Sequence, residues 1–231
     1  TGEYATLLDT ELPPIAPMTT RMKLVSFFCG CGGVDLGFRS AGVKVAFASD
    51  FNAKAASTYA LNLGHAPVVS DIRNVEAATL KAIGDVDVVA GGFPCITFST
   101  AGKRAGVVDD INGKLYLELC RVISTISPRY FVAENVEGIL SANGGGAVKL
   151  VIAAFLRLGY RTSYELVNMA EHGVPQTRKR VVFVGVRIDQ WRGTFVFPKK
   201  TQRLANDASA PKWLPIARTL REAIGDLGPP N

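Results

Sequence analysis

Residues 23–50 read KLVSFFCGCGGVDLGFRSAGVKVAFASD, and this stretch predicts the fold. The apolar run at 23–28 has the composition of a buried strand, and a loop with three glycines follows it at 29–33. A helical pattern covers 34–41, and a second apolar run at 43–48 leads to an acidic residue, Asp50. A strand, a glycine-rich turn, a helix and a second strand make a βαβ unit, which is typical of parallel α/β sheets.

The same alternation continues along the chain, which predicts an α/β fold with a mainly parallel sheet and helices on both faces. The last two predicted strands are joined by a short link at 189–193 and are expected to form an antiparallel hairpin. The further predicted helices lie at 53–62, 75–82, 115–126, 147–158 and 217–226, and the further strands near 67–70, at 86–90 and 130–134, and near 162–168, 181–187 and 194–197.

Length and composition predict a single large domain over residues 22–231, because 48% apolar content is enough for a full core. Residues 1–21 contain three prolines and no clear period, so we interpret them as a flexible leader or tag. No apolar stretch has the length needed to cross a bilayer, and the sequence therefore predicts a cytoplasmic protein without a membrane partner.

Net charge and the cysteine pattern limit which partners and metals the chain is expected to bind. The formal net charge is +6, and basic residues cluster at 103–104, 178–180 and 199–203, which permits a polyanionic partner. A solvated basic face is the alternative interpretation. The cysteines have neither the density of a disulfide framework nor the spacing of a zinc site, so we expect reduced thiols and no metal. They are Cys29, Cys31, Cys95 and Cys120.

The glycine-rich loop and the next two strand ends predict a cofactor site. Glycines at this position let the backbone approach a ligand, and Asp50 at the end of the second strand can bind ribose hydroxyls. These features predict an adenosine-containing cofactor. Phe51 is placed to stack on its adenine ring, and Asp71 is placed to accept a hydrogen bond from the adenine amino group. The alternatives are a core role for Phe51 and a helix-capping role for Asp71. Position 35 is Asp35 rather than the glycine of a dinucleotide fingerprint, which favours a cofactor without a pyrophosphate.

A second motif, GGFPCITFS at 91–99, directly follows the apolar run at 86–90. Cys95 therefore lies on a turn at the exit of a buried strand, where open α/β sheets bind ligands. A thiol held there is a candidate nucleophile.

Together these motifs resemble those of the cytosine-C5 DNA methyltransferases, which use S-adenosylmethionine. The resemblance covers residues 24 to about 227, and its motifs occur in one order. It implies a Rossmann-like methyltransferase sheet. The matching segments are FCGCGGVDLGF at 28–38, Asp50-Phe51, Asp71-Ile72, the Cys95 motif with AGKR at 101–104, Glu134-Asn135-Val136, and GVPQTRKR at 173–180.

The resemblance also implies the roles of individual residues. Cys95 would add to carbon 6 of cytosine, Glu134 would share a proton with N3, and Arg178 and Arg180 would hold the base and Glu134. Sequence does not say which arginine does which. Cofactor contacts are implied at Phe28, Gly30, Cys31, Gly32, Gly33, Asp50, Phe51, Asp71, Ile72, Pro94 and Leu115.

The implied substrate is double-stranded DNA with the target cytosine flipped out of the stack, in a nucleoid-associated protein. The loop at 99–113 would close over the base, and DNA contacts are implied at Ser99, Lys103, Arg104 and Gln176. The family's target-recognition region and last two motifs would follow Ile224. We therefore expect a truncated chain, or a second polypeptide that supplies those parts and covers apolar surface near Leu36 and Phe38.

Two departures and two alternatives accompany this interpretation. The family usually has proline at the position of Phe93 and Gln-Pro at Ile96-Thr97, so the DNA-facing side of the loop is expected to differ. One alternative function is a catalytically silent relative that binds nucleic acid or regulates a partner. The other is a cytosine-C5 methyltransferase that acts on RNA.

Overall fold

The computed structural model describes residues 22–94 and 115–226. Several sequence predictions lie outside the described residues: the leader at 1–21, the nucleophile Cys95, the loop at 99–113, and the DNA contacts Ser99, Lys103 and Arg104.

The centre of the fold is a seven-stranded sheet in the order β3-β2-β1-β4-β5-β7-β6. The first five strands in this order are parallel, whereas β7 is antiparallel to both β5 and β6. The mixed α/β sheet predicted from the sequence is confirmed. The strands are β1 (Lys23–Phe27), β2 (Lys44–Asp50), β3 (Val68–Val69), β4 (Val88–Gly91), β5 (Tyr130–Val136), β6 (Tyr160–Asn168) and β7 (Lys179–Arg187).

Helices cover both faces of this sheet, and local sequence sets several of their ends. The Asn52 side chain caps α2 by accepting hydrogen bonds from the amides of Lys54 and Ala55, and Gly64 ends the helix in a left-handed conformation. Among the described residues, no helix is long and apolar enough to cross a membrane. The helices are α1 (Gly33–Ser40), α2 (Ala53–Leu63), α3 (Ala77–Ala82), α4 (Leu115–Ile126), α5 (Gly146–Arg157) and α6 (Leu220–Ile224).

Alternate residues of the strands supply two core layers. On one face, Val25, Val89 and Phe131 pack with apolar residues of α3, α4 and α5 in the larger cluster. On the other face, Leu24 and Val88 pack towards α1, and smaller clusters continue to α2. The carboxyl ends of the parallel strands lie between these two helical layers.

Two sequence predictions about the C-terminal part are wrong. The segment 194–197 is not a strand, and the antiparallel partner of β7 at that side of the sheet is β6. Because β5 and β6 occupy both edges of β7, no edge of that strand is free for a further partner. The last helix is also shorter than predicted, since Thr219 and Glu222 form a capping box that starts α6 at Leu220.

Candidate active site

A cavity of about 490 Å³ opens at the carboxyl ends of β1, β2 and β4. Its volume is within the range of sites that hold a small organic ligand. Most of the predicted cofactor residues line it, together with several neighbours that the sequence analysis did not select. The lining residues are Phe27, Phe28, Ser49, Asp50, Phe51, Ser70, Asp71, Ile72, Arg73, Gly92, Pro94 and Leu115.

Asp50 ties the glycine-rich loop to the end of β2. One carboxylate oxygen accepts a hydrogen bond from the Gly30 amide at 2.8 Å, and the other accepts one from the Asn52 amide at 2.8 Å. A carboxylate oxygen can accept more than one hydrogen bond, so each of these atoms has capacity left. Asp50 therefore fixes the loop and, as a cavity-lining residue, can still accept from a ligand hydroxyl.

Gly32 allows the same loop to pack against α2. A Cβ atom at this position would lie 2.5 Å from Leu63 Cδ1 and 2.9 Å from Tyr59 Cδ2. Its backbone φ of 88° is also in the left-handed region, which favours glycine. The Asn62 side-chain amide secures the loop further by donating to the Cys31 carbonyl at 2.8 Å. Gly30, Cys31, Gly32 and Gly33 shape the cavity without lining it.

Three phenylalanines, Phe27, Phe28 and Phe51, line the cavity. Phe51 is 72% exposed, so it is not the core residue that the alternative interpretation required. Phe28 lines the cavity with a backbone φ of 53°, which is unusual for a bulky side chain. Strain of this kind is typical of residues that a binding site holds in place.

Asp71 caps a short 3₁₀-helix, Ile72–Asn74, which is the alternative role that the sequence left open for it. Its carboxylate accepts from the Arg73 amide and pairs with the Arg73 guanidinium at 2.6 Å. The guanidinium holds the pKa of Asp71 below its ordinary range. Because Asp71 also lines the cavity, the capping role and a ligand contact are compatible.

The predicted acid, Glu134, lies between both predicted arginines. Its Oε1 atom is 3.3 Å from a terminal nitrogen of Arg178, and its Oε2 atom is 3.4 Å from Nε of Arg180. The antiparallel register explains this placement, since Arg180 faces Val136, two residues beyond Glu134 on β5. The two arginines therefore hold opposite oxygens of one carboxylate.

Gly92 connects Glu134 to the cofactor cavity. A Cβ atom at Gly92 would lie 3.1 Å from Cγ of Glu134, so the carboxylate side chain rests against the loop that follows β4. Gly92 also lines the 490 Å³ cavity. The Gly92 backbone thus contacts both the acid and the cavity.

A buried pair below the glycine-rich loop was missed by the sequence analysis. Asp35 is fully buried and accepts a hydrogen bond from the Tyr59 hydroxyl at 2.7 Å. Burial raises the pKa of Asp35. An acid on the first turn of α1 is usually a solvated residue that favours the helix N-terminus, so its sequence position gave no signal of burial.

The described cysteines differ in exposure and acidity. Burial, followed by the nearby carboxylates of Asp35 and Asp50, raises the pKa of Cys29 to about 12. Burial alone raises the pKa of Cys120 to about 11. Cys31 is exposed. The two buried thiols are therefore poor nucleophiles.

Gln176, the predicted DNA contact within the described chain, lies apart from the cofactor cavity. It lines an open groove of about 740 Å³ between the segment before β7 and the segment that leads to α6. Pro175, Thr177 and Thr219 are among its neighbours there. The structure therefore does not bring Gln176 into the cluster of Glu134, Arg178 and Arg180.

Fold and cavity together define a Rossmann-like methyltransferase. A solved chain encoded in an E. coli prophage and described as a DNA modification methyltransferase matches with a TM-score of 0.66 and 25% identity, over 91% of this chain and 56% of its own. The S. pombe Dnmt2 methyltransferase shares the fold, with a TM-score of 0.61 and 21% identity over 76% of this chain and 53% of its own.

The chain belongs to the C-5 cytosine-specific DNA methylase family, whose model matches residues 22–228. The resemblance carried by the motifs is confirmed. The Type II methyltransferase M.NgoFVII of Neisseria gonorrhoeae is 38% identical over 79% of this chain and 48% of its own length. M.AquIA of Picosynechococcus is 37% identical over 90% of this chain and 89% of its own length.

The chain thus spans about half the length of M.NgoFVII and nearly all of M.AquIA. S-adenosylmethionine is the cofactor of this family, as the motifs predicted. The residues of the 490 Å³ cavity fit S-adenosylmethionine. They combine two carboxylates, which can accept from hydroxyl and amino groups, with aromatic and aliphatic surface for a purine.

Proposed function

We propose that this chain is the catalytic and cofactor-binding part of a DNA methyltransferase of the restriction–modification type, which methylates carbon 5 of cytosine. One observation carries the proposal. Glu134 is held by Arg178 and Arg180 against Gly92, in the loop that joins the cofactor cavity to Cys95. This brings a carboxyl group, two cations and the loop that leads to Cys95 to one edge of the sheet, as attack on a pyrimidine requires.

The 490 Å³ cavity is the proposed site of S-adenosylmethionine, which supplies an electrophilic methyl group when it is bound. Asp50 would accept from the ribose hydroxyls with the acceptor capacity that Gly30 and Asn52 leave free. Phe51 would stack on the adenine, because its ring is exposed at the rim. Asp71 would accept from the adenine amino group, with Ile72, Pro94 and Leu115 as apolar neighbours.

Carbon 5 of cytosine is a weak nucleophile, so covalent assistance is required. The Cys95 thiolate would add to carbon 6, and the electron pair of the double bond would move towards N3. Glu134 would share its proton with N3 and so neutralise the charge that develops there. Carbon 5 of the resulting enamine then carries the electron density for methyl transfer. Loss of the carbon 5 proton to solvent, elimination of the thiolate and return of the N3 proton to Glu134 would restore the aromatic ring and free Cys95.

Arg178 and Arg180 would have two tasks in this reaction. They hold the Glu134 carboxyl group at opposite oxygens, and a guanidinium also has donors left for the cytosine O2 atom. Arg178 is the more exposed of the two, with 41% of its side chain accessible against 22% for Arg180. Arg178 therefore has more surface available for a substrate contact.

The target atom is inaccessible in a stacked duplex, so the proposed substrate is double-stranded DNA with a flipped cytosine. The loop at 99–113 would close over that base, with Ser99, Lys103 and Arg104 on phosphates. Gln176 lines the open groove at the start of β7, and DNA that lay along this groove would contact it.

The domain over 22–231 is proposed to act with target recognition supplied by a second polypeptide or by further chain. Two observations support this proposal. Val34 and Leu36 on α1 are 48% and 40% exposed, as expected for a surface that another part covers. M.AquIA is a relative of nearly the same length as this chain. Phe38, which was expected to be exposed with Leu36, instead packs against the cluster around Leu24.

The test measures methyl transfer from labelled S-adenosylmethionine to mixed-sequence DNA, by the chain alone and with extract of its host. Cys95→Ala is compared with Cys120→Ala, a control that removes a buried thiol outside the site. We expect transfer to DNA that Cys95→Ala abolishes and Cys120→Ala retains. Label in RNA but not in DNA would favour the RNA alternative. DNA binding without transfer under either condition would favour the silent relative.

A further inference from the structure

We infer that Asn135 is a positioning residue, which holds the Cys95 loop in register with Glu134. The inference rests on the proposed function and extends it to a residue with no direct contact to cofactor or base. The contact that carries the inference lies just past the end of β4. There Gly92 and Phe93 contact two consecutive residues of β5, Glu134 and Asn135.

Asn135 is 1% exposed, and both ends of its side-chain amide are engaged. Its Nδ2 group donates to the Phe93 carbonyl at 3.0 Å, and its Oδ1 atom accepts from the Val136 amide at 2.8 Å. These two contacts fix the orientation of the amide, because only the nitrogen can donate to a carbonyl. The contact with Phe93 spans 42 positions in the sequence, so it joins the loop to a distant strand.

The register of the sheet explains why a side chain makes this contact. The parallel ladder between β4 and β5 ends at the pair Gly91 and Ala133. Beyond that pair, the Glu134 side chain rests against Gly92 on one face, and the Asn135 side chain bonds to Phe93 on the other. Asn135 thus takes the place of the backbone ladder at Phe93, two residues past the strand end.

The Phe93 side chain strengthens this attachment. It is 2% exposed, belongs to the larger core cluster, and its ring centroid lies 6.4 Å from that of Phe183 on β7. Cys95 follows Phe93 by only two residues, with Pro94 restricting the backbone between them. The Phe93 carbonyl is therefore anchored two residues before Cys95 in the sequence, and β5 carries both Asn135, which anchors it, and the acid.

A positioning role predicts a specific pattern of kinetic loss. Asn135 does not line the cofactor cavity, but Gly92 and Pro94 on either side of Phe93 do, so its replacement should weaken the affinity for S-adenosylmethionine less than it lowers turnover. The turnover number falls about 10- to 100-fold, since a displacement of the reacting groups on the order of 1 Å has that effect.

The experiment compares Asn135→Ala and Asn135→Asp with Tyr160→Phe in the complete, active enzyme. Asn135→Asp is isosteric, retains the acceptor for Val136 and removes the donor to Phe93. Tyr160→Phe is the matched control, because the Tyr160 hydroxyl also donates from a buried site to a backbone carbonyl, that of Pro128 at 2.6 Å. Turnover with saturating DNA and cofactor is measured beside the dissociation constant of S-adenosylmethionine.

We expect both Asn135 variants to lose more turnover than cofactor affinity, and Tyr160→Phe to retain both. An Asn135→Ala enzyme with turnover within about twofold of the parent would overturn the inference. Equal losses of turnover in Asn135→Ala and Tyr160→Phe would also overturn it, since they would show a general effect on stability.

A second measurement separates this inference from the proposed function. The chain is alkylated with iodoacetamide, and the modification of Cys95 is compared by mass spectrometry with that of the exposed Cys31. Release of the loop in Asn135→Ala is expected to change the Cys95 to Cys31 ratio by about threefold or more. If the parent transfers no methyl group, the proposed function fails, while a changed ratio still supports the positioning role and an unchanged ratio refutes it.

Discussion

Replacing Gly32 with alanine is expected to weaken the folded state more than the same change at the neighbouring glycines. The new methyl group would lie 2.5 Å from Leu63 Cδ1 and 2.9 Å from Tyr59 Cδ2, and neither side chain is free to move because both are buried. The residue would also have to keep a φ of 88°. Overpacking of a tight core costs about 1–3 kcal/mol, and a left-handed alanine about 1–2 kcal/mol. The free energy of unfolding should therefore fall by roughly 3 kcal/mol.

Two other glycines of the loop separate these causes. Gly30 has a φ of 52°, and a Cβ added there would meet nothing within 4 Å, so Gly30→Ala should lose only the backbone component, about 1–2 kcal/mol. Gly33 begins α1 without a positive φ and with equally open space. Gly33→Ala should therefore raise stability by about 0.4–1 kcal/mol, because alanine restricts the unfolded chain.

The assay is urea unfolding followed by far-ultraviolet circular dichroism, with the same slope required for each variant. Stability is expected to decrease in the order Gly33→Ala, Gly30→Ala, Gly32→Ala. Equal losses at Gly30 and Gly32 would refute the packing argument, because they would leave only the backbone conformation as a cause. A Gly32→Ala chain as stable as the parent would refute both arguments.

Three further predictions concern Asp35, Phe28 and Arg180. Burial raises the pKa of Asp35, so the folded state binds its proton more tightly than the unfolded state does, and that stabilisation is lost as pH rises through the folded pKa. The isosteric Asp35→Asn should therefore gain stability relative to the parent as pH rises, and unfolding curves with parallel pH dependence would contradict this. Phe28→Gly should be more stable than Phe28→Ala, because glycine tolerates a φ of 53°, and thermal unfolding measures this difference. Both variants should bind S-adenosylmethionine more weakly than the parent, because they remove a ring that lines the cavity. Unchanged affinity of both variants in calorimetric titration would contradict the cavity assignment. Arg180→Ala should lower turnover about 100-fold with cofactor affinity retained, because it removes the cation beside one oxygen of Glu134. Steady-state kinetics measure this loss, and a variant with full turnover would show that the contact between Arg180 and Glu134 is not needed.

Local patterns predicted most of the fold correctly. The helix at 115–126 was predicted with the bounds that the structure shows, because an apolar face repeats over its whole length. The glycine-rich turn and Asp50 were also predictable, since each follows directly from a strand end. The hairpin with 194–197 was wrong because strand pairing is decided across the sheet, and β5 and β6 already occupy both edges of β7.

The candidate site was predictable as a set of residues but not as an arrangement. Sequence order alone could not show that Arg178 and Arg180 hold opposite oxygens of Glu134, since this depends on the antiparallel register of β5 and β7. Asn135 was quoted only as part of a motif, because its contact with Phe93 joins residues 42 positions apart. Contacts at such separation leave no trace in a local pattern.

The most direct test of the central claim is covalent capture of the nucleophile. Mixed-sequence DNA in which 5-fluorocytosine replaces cytosine is incubated with the enzyme and S-adenosylmethionine, and the adduct is mapped by mass spectrometry. Fluorine at carbon 5 cannot leave as the proton does, so the thiolate cannot be eliminated after methyl transfer. The account predicts a stable protein–DNA adduct on the peptide that contains Cys95. An adduct on Cys31 instead, or free enzyme from a preparation that methylates ordinary DNA, would contradict it.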